Sequence, residues 1–205
     1  SIRIAWLLEE LNLPYELKIY QRDAKTYGAP ASLKDVHPLG ASPVITDGKL
    51  TIAESGAIIE YLIDTYDTEK RLKPTDGQAL LDYRYWLHFA EGSMMPLLVM
   101  RLVLDKSLKS PIPFFIKPII RQFTASLNRL FIDPRIIPQL KLIDAYLATH
   151  DWFAGHHLSG ADIQMTLALQ LAKTRCDLTP YLHIARYMTQ IESLDNYQKA
   201  MKKVD

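Results

Sequence analysis

The spacing of apolar residues changes character along the first part of the chain. Residues 4–11 carry four aliphatic side chains at the spacing of one helix face, and residues 12–14 break that pattern with Asn and Pro. In residues 15–19 Tyr, Leu and Ile alternate with polar residues, which predicts a strand. A polar loop over residues 21–31 and a short helical turn over residues 32–36 are expected to follow.

A hairpin and a helix come next. Residues 43–46 and 50–52 flank the dipeptide Asp47-Gly48, which suits the positive backbone angles of a tight turn. Residues 54–66 then place four aliphatic side chains on one stripe, as in an amphipathic helix. The sequence therefore predicts a β-hairpin followed directly by a helix.

The second half of the chain has helical periodicity throughout. Residues 71–77 form a polar stretch with Pro and Gly, which we interpret as a linker between a first domain, residues 1–70, and a second, residues 78–205. The predicted helices of the second domain span residues 78–104, 113–131, 135–150, 160–174 and 181–193.

Composition narrows the class of protein. The 205 residues include 24 Lys and Arg against 23 Asp and Glu, and a net charge of +1 favours neither nucleic acid nor an acidic membrane as a partner. A single cysteine, Cys176, excludes an internal disulfide and fits the cytoplasm. The richest apolar stretch, residues 94–100, is shorter than a bilayer span, so we expect a soluble protein with no membrane partner.

Four segments, in order, resemble the cytosolic glutathione S-transferase family, and in particular its yeast and bacterial branch. They are residues 1–11 (SIRIAWLLEEL), 37–44 (HPLGASPV), 53–58 (AESGAI) and 158–163 (LSGADI). The resemblance implies an α/β thioredoxin-like N-terminal domain followed by an all-α helical domain. It also implies a homodimer in which the helix after Glu54 packs near the long helix of the other subunit.

The resemblance assigns glutathione-binding residues. Pro43 matches the cis-proline after which Val44 pairs its backbone with the cysteinyl part of glutathione, although a proline that merely starts a strand is the alternative. Glu54 and Ser55 match the residues that take the γ-glutamyl ammonium and carboxylate groups, and a plain helix cap is the alternative there.

The catalytic donor is harder to assign from this sequence. In the family a Tyr, Ser or Cys at the end of the first strand donates to the glutathione sulfur, whereas this chain starts at Ser1, directly on the predicted helix. Ser1 is the substitute candidate, and we expect the natural protein to continue upstream with a strand between those at Tyr15 and Val44. Ala41 replaces the polar side chain that holds the glycyl carboxylate in many relatives.

Ser159 and Asp162 have the S-x-x-D pattern of a capping box. Each side chain in such a box satisfies a free backbone N–H of the other residue at a helix start. The expected role is structural, with a cost of about 1 kcal/mol or somewhat more when either residue becomes Ala.

Other residues are open to two interpretations. His88 and Glu91 share a helix face and form either an acid-base pair or plain helix surface. We interpret His156-His157 and Cys176 as structural residues, and we expect no metal site. The second, hydrophobic substrate of the family lies against the long helix, and segments within residues 94–123 are candidates for its pocket mouth. The aromatic candidates for lining that site are Tyr83, Tyr85, Trp86 and Phe89, with a place in the core as the alternative.

The function implied by the resemblance is glutathione-dependent detoxification. The enzyme would bind glutathione as co-substrate, lower its thiol pKa and direct the thiolate at a hydrophobic electrophile, a peroxide or a disulfide. A non-catalytic carrier or adaptor of the same fold is the alternative, and retained glutathione affinity would distinguish the two.

Overall fold

A computed structural model of the protein describes residues 1–20, 29–108 and 113–204. Residues 21–28 of the predicted loop and residues 109–112 of the predicted pocket mouth lie outside this description. A short 3-10 turn at Ala31–Leu33 confirms the helical turn expected nearby. The helices and strands are α1 (Ile2–Glu10), β1 (Val44–Asp47), β2 (Leu50–Ala53), α2 (Ser55–Tyr66), α3 (Gly77–Phe89), α4 (Met95–Ser107), α5 (Lys117–Leu127), α6 (Asp133–Leu147), α7 (Gly160–Arg175), α8 (Leu182–Glu192) and α9 (Asp195–Val204).

The predicted hairpin is confirmed. Strands β1 and β2 pair antiparallel with Val44 opposite Ala53, and Gly48 in the turn has a φ of +56°, which glycine adopts without steric cost. The carboxylate of Asp47 accepts hydrogen bonds from the hydroxyl of Tyr61, at 2.8 Å, and from that of Tyr66. These bonds fasten the end of the hairpin to α2, the helix that follows it.

The strand predicted at residues 15–19 is wrong. Within the described residues β1 and β2 pair only with each other, so residues 13–20 have no neighbouring strand to complete a ladder. Tyr15 is held by side chains instead. Its hydroxyl donates to Glu9 Oε1 at 2.7 Å, and Lys203 Nζ lies 2.6 Å from the same oxygen and 4.5 Å from the centre of the Tyr15 ring.

Helices α3 and α4 form one continuous helix, Gly77–Ser107, joined by a π turn at Ala90–Met94. The predicted helix over residues 78–104 is therefore confirmed. Its 31 residues are long and apolar enough to cross a membrane by length and composition alone. However, Tyr83 and Trp86 on its inner face belong to the protein core.

The two helices predicted at residues 113–131 and 135–150 are in fact one. Helices α5 and α6 run together through a second π turn at Asn128–Ile132. Pro134, which has no N–H to donate, is the second residue after this turn. The missing donor thus lies where the hydrogen-bond spacing is already changing, and the helix continues past the proline.

Helix α9 was not predicted, yet it covers the first helix of the chain. The rings of Trp6 and Tyr197 meet edge to face at 5.2 Å, and Asn196 donates to Glu10 at 3.1 Å. Trp6 is fully buried as a result. The signal that was missed is the spacing of Tyr197, Ala200, Met201 and Val204, which marks one face of a single short helix.

The centre of the core is the N-terminal end of α7. A Cβ at Gly160 would lie 2.7 Å from Ile63 Cδ1 of α2 and 2.8 Å from the hydroxyl of Tyr83 on α3, so glycine permits the close approach of three helices. The cluster of buried side chains is continuous from α1 and α2 through α3 and α7 to α9. This arrangement confirms the expected class, an α/β thioredoxin-like part joined to an all-helical part.

The predicted capping box at the start of α7 is formed, and its carboxylate has additional partners. Asp162 is fully buried and accepts from the backbone N–H and the hydroxyl of Ser159, both at 2.8 Å. It also accepts from the backbone N–H of Phe153 and the hydroxyl of Tyr187, both at 2.9 Å. Burial raises the pKa of Asp162 to about 6, while these hydrogen bonds act in the opposite direction.

Candidate functional site

The hairpin register brings two of the predicted glutathione-binding segments together. The Ser42-Pro43 peptide bond is cis, as the resemblance implies, and Val44 begins β1. Because Val44 lies opposite Ala53, the pair Glu54-Ser55 follows directly beside Pro43 and Val44. Alternate residues of β1 direct their backbone N–H and C=O groups away from β2, and these groups are available to an extended ligand.

Glu54 has an unusual backbone conformation. Its φ is +72°, in the region that glycine favours, and it stands immediately before α2. Its side chain is exposed and makes no capping hydrogen bond to that helix. Strained backbone of this kind is concentrated at binding and catalytic sites, which favours a ligand-binding role over a plain helix cap.

Ser55 is buried and oriented by a residue that the sequence did not single out. Gln164 of α7 is almost fully buried, and its Nε2 donates to Ser55 Oγ at 3.2 Å. Because Ser55 Oγ accepts this bond, its own hydroxyl proton stays free to donate to another group. The only sequence signal for Gln164 is an amide between the apolar residues Ile163 and Met165.

Ser1 stands at the start of α1 with its side chain uncommitted. It is exposed and makes no capping hydrogen bond, so the first backbone N–H groups of α1 are not satisfied by it. Ser1 lines a cleft of about 710 Å³ together with Pro43, Val44 and residues 13–18. The sequence expects a strand between residue 15 and Val44, and the structure has this cleft in that place.

A partly buried ion pair joins the start of α1 to the long helix. Arg3 is only 5% exposed, and its guanidinium pairs with the carboxylate of Glu91 in the π turn. Its Nε atom has no hydrogen-bond partner among the described residues. Because the Glu91 carboxylate pairs with Arg3, it is not available for the acid-base pair with His88 that their shared helix face suggested.

Lys34 lies beside the loop that leads to the cis-proline. Gly40 has a φ of +60°, and a Cβ there would lie 2.7 Å from Cγ of Lys34, so the lysine stem crosses directly over the glycine. Ala41, the residue that offers no cation, follows immediately. No sequence pattern indicates this contact, because Lys34 reaches Gly40 only through the fold of the loop.

The aromatic candidates on the long helix do not form one site. Tyr83, Trp86 and Phe89 are buried, and the Trp86 ring packs against that of Phe153 at 4.8 Å. Tyr85 is exposed and stacks on Phe89 at 5.5 Å. Three of the four are therefore core residues, and the fourth lies on the outer surface.

The remaining candidates show no chemistry of their own. Within the described ranges, no group of three His, Cys, Asp or Glu side chains is arranged to hold a metal ion, and this includes His156 and His157. Cys176 is half-buried, with Arg101 Nη1 3.4 Å from its sulfur. Burial raises the pKa of the Cys176 thiol despite that nearby cation, so the thiol is a weak nucleophile.

Comparisons with known proteins identify the family. The family model for the glutathione S-transferase N-terminal domain matches residues 1–65. Glutathione S-transferase 3 of Schizosaccharomyces pombe is 35% identical over 100% of this chain and 84% of its own length. For glutathione S-transferase 1 of Saccharomyces cerevisiae the identity is 32% over 99% of this chain and 90% of its own length.

A solved structure extends the likeness to three dimensions. The crystal structure of a glutathione S-transferase from Actinobacillus pleuropneumoniae is 36% identical and superposes with a TM-score of 0.79. It covers 100% of this chain and 88% of its own. With full-length relatives above 30% identity and the same fold, the chain belongs to the glutathione S-transferase family of enzymes.

Proposed function

We propose that this chain conjugates the glutathione thiolate to hydrophobic electrophiles, with glutathione bound along the start of β1 and its thiol at the N-terminal end of α1. The observation that carries the proposal is the hairpin register. It sets the backbone of Val44 beside Glu54 and Ser55, so one extended peptide can contact both. The division into residues 1–70 and 78–205, with glutathione held by the first part, belongs to the same proposal.

The γ-glutamyl end of glutathione is assigned to Glu54 and Ser55. The exposed carboxylate of Glu54 is free to pair with the ammonium group. The oxygen of the Ser55 hydroxyl accepts from Gln164, so its proton is available to donate to the γ-glutamyl carboxylate. The free N–H groups of the first turn of α2 can donate to the same carboxylate. Gln164 is therefore a positioning residue for Ser55.

The glycyl carboxylate is assigned to Lys34. Ala41 carries no cation, and the Lys34 stem lies against Gly40, one residue away. An exposed ammonium group contributes a weak, screened attraction. We expect Lys34→Ala to raise the KM for glutathione about fivefold, and Lys49→Ala in the hairpin turn serves as the control with no effect.

The thiolate is stabilised by the unsatisfied N–H groups and the dipole at the start of α1. The ion pair of Arg3 with Glu91 fixes this turn against the long helix. Ser1 is the proposed donor to the sulfur, because its hydroxyl is uncommitted and it stands at the N-terminal end of α1. The proposed reaction needs no metal ion.

The electrophile is expected to approach from the side of the long helix that carries Glu91, since this side faces the start of α1. Detoxification in the cytoplasm is the proposed setting. The homodimer remains part of the proposal, supported by Leu81 and Tyr85, which are 57% and 48% exposed one turn apart on α3. Light scattering that gave a monomer at micromolar concentration would contradict it.

The decisive experiment is an ultraviolet titration of glutathione on the protein, with binding measured in parallel by calorimetry. We expect Glu54→Gln to weaken binding by about tenfold or more, as for loss of a charged hydrogen bond, and the control Glu60→Gln on the same helix to leave it unchanged. Ser1→Ala is expected to raise the pKa of the bound thiol by about one unit with little change in affinity. Binding unaffected by Glu54→Gln would refute the site, and an unchanged thiol pKa in Ser1→Ala would refute Ser1 as donor.

A further inference from the structure

The first turn of α1 carries a positive charge where negative charge is usual. Asp and Glu stabilise the N-terminal end of a helix, but the first turn of α1 has no acidic residue and contains Arg3 instead. Arg3 is also almost fully buried, and burying a charge is costly. The stability of the helix therefore does not account for an arginine at this position.

The partner of Arg3 also lies in an irregular part of the chain. Glu91 belongs to the π turn Ala90–Met94, where the long helix departs from regular hydrogen-bond spacing. Such turns are rare and are frequent at functional sites. Gln139 of α6 donates to the carbonyl of Ser93 in the same turn at 3.3 Å. Two locally unfavourable features thus meet in one ion pair, at the end of α1 where the glutathione thiol is proposed to lie.

The charge of Arg3 acts on the start of α1. Burial, and after it the charge of Arg3, lowers the pKa of the Ser1 amino group. A charge that disfavours a cation at this point favours an anion there, such as a thiolate. Glu91 acts in the opposite direction, but its side chain is 41% exposed against 6% for Arg3, so water screens its charge more strongly. The two halves of the pair therefore have opposite and unequal effects at the start of α1.

Other charged groups near α1 are distant, bound or hydrated. Lys203 of α9 pairs with Glu9, about 12 Å along the helix from Ser1. The buried side chains of α2 and α7 are uncharged apart from Asp162, whose carboxylate accepts from four donors. His88, on the same face of the long helix as Glu91, is exposed to water.

We propose that Arg3 and Glu91 are positioning residues that hold the start of α1 and together set the acidity of the bound glutathione thiol. Arg3 favours the thiolate, and Glu91 limits that effect. The inference rests on the proposed function, because it requires the thiol to lie at the start of α1. The long helix of the second part of the chain thereby tunes a thiolate that the first part binds.

The test is an ultraviolet titration of bound glutathione on the wild type and four variants. Arg3→Gln should raise the thiol pKa by about one unit and Glu91→Gln should lower it by about half a unit, as for unit charges acting through partly hydrated protein. The double variant Arg3→Gln/Glu91→Gln should return close to the wild-type value. Arg3→Lys keeps the charge and should also stay close to it.

The ion pair of Arg101 with Asp133 provides a matched control. It also joins the long helix to another helix, and its side chains are 12% and 40% exposed, much as in the pair of Arg3 with Glu91. Arg101→Gln and Asp133→Asn should therefore lower the free energy of unfolding to a similar extent. Neither control variant should change the thiol pKa.

Opposite shifts in the two single variants would support the proposal. A thiol pKa that rises in both, without recovery in the double variant, would overturn it by showing that the pair only fixes α1 in place. Unchanged pKa values in both, or equal shifts in the control variants, would overturn it as well. A wild-type protein that does not bind glutathione, or binds it without lowering the thiol pKa, would refute the proposed thiol site and this inference with it.

Discussion

Removing the carboxylate of Asp162 should destabilise the protein much more than the loss of an ordinary helix cap. Two of its four donors are backbone N–H groups, those of Phe153 and Ser159, which cannot turn toward another acceptor. The other two are hydroxyls, of Ser159 and Tyr187, and a hydroxyl can rotate. Asp162→Ala therefore leaves two fixed, buried donors unsatisfied.

The magnitude follows from those two groups. A buried donor without a partner costs about 1–3 kcal/mol, so Asp162→Ala is expected to lower the free energy of unfolding by about 4 kcal/mol. Ser159→Ala and Tyr187→Phe each remove one hydroxyl donor and leave the carboxylate with three others. Each should cost about 1 kcal/mol. The sequence pattern alone led to the smaller value for both residues of the capping box.

Urea unfolding at pH 7, followed by circular dichroism, measures these differences provided that the slope against denaturant stays constant. The two single-hydroxyl variants act as matched controls from the same network. If Asp162→Ala cost no more than Ser159→Ala, the buried N–H groups would have found other partners and the reasoning would be refuted.

Three further predictions concern charge and packing. Burial raises the pKa of Asp162 from 3.8 to about 6. The part of its contribution that depends on pH is therefore fully present below pH ~4 and lost as pH rises through ~6, while the contacts that Asp162→Ala removes persist at pH 7. The difference in unfolding free energy between wild type and Asp162→Asn should therefore shrink from acidic to neutral pH. Gly160→Ala should cost about 2 kcal/mol or more in urea unfolding, because the added Cβ meets two helices; a smaller effect would show that Ile63 can move aside. Glu91→Gln should lower the free energy of unfolding by about 2 kcal/mol, less than the loss of a fully buried pair because Glu91 is 41% exposed. Removing Arg3 as well should recover part of that loss, and strictly additive losses in the double variant would contradict the pairing.

Local patterns in the sequence predicted the elements whose causes are local. The Asp-Gly turn, the stripe of α2 and the capping box of Ser159 and Asp162 all depend on residues within a few positions of one another. The strand at residues 15–19 depended on a partner that local alternation cannot supply. Helix α9 was missed because its apolar face has only four residues in an otherwise polar segment.

In the candidate site too, the sequence located the residues of local motifs and missed those positioned by long-range contacts. The family resemblance located Val44, Glu54 and Ser55, but not the residues that hold them in position. Gln164 lies 109 residues from Ser55, and Glu91 lies 88 residues from Arg3. Such contacts are set by how helices pack, and no spacing along the chain encodes them.

The contact of α9 with α1 has a consequence for how the protein is made. Lys203 and Glu9 lie 194 residues apart, and α9 covers the helix at whose start the thiol is proposed to lie. A ribosome releases the segment around Glu9 long before it has synthesised Lys203. Trp6 and its apolar neighbours therefore stay uncovered, and open to aggregation, until the final helix has been synthesised. We expect catalytic activity to appear only after translation has passed α9.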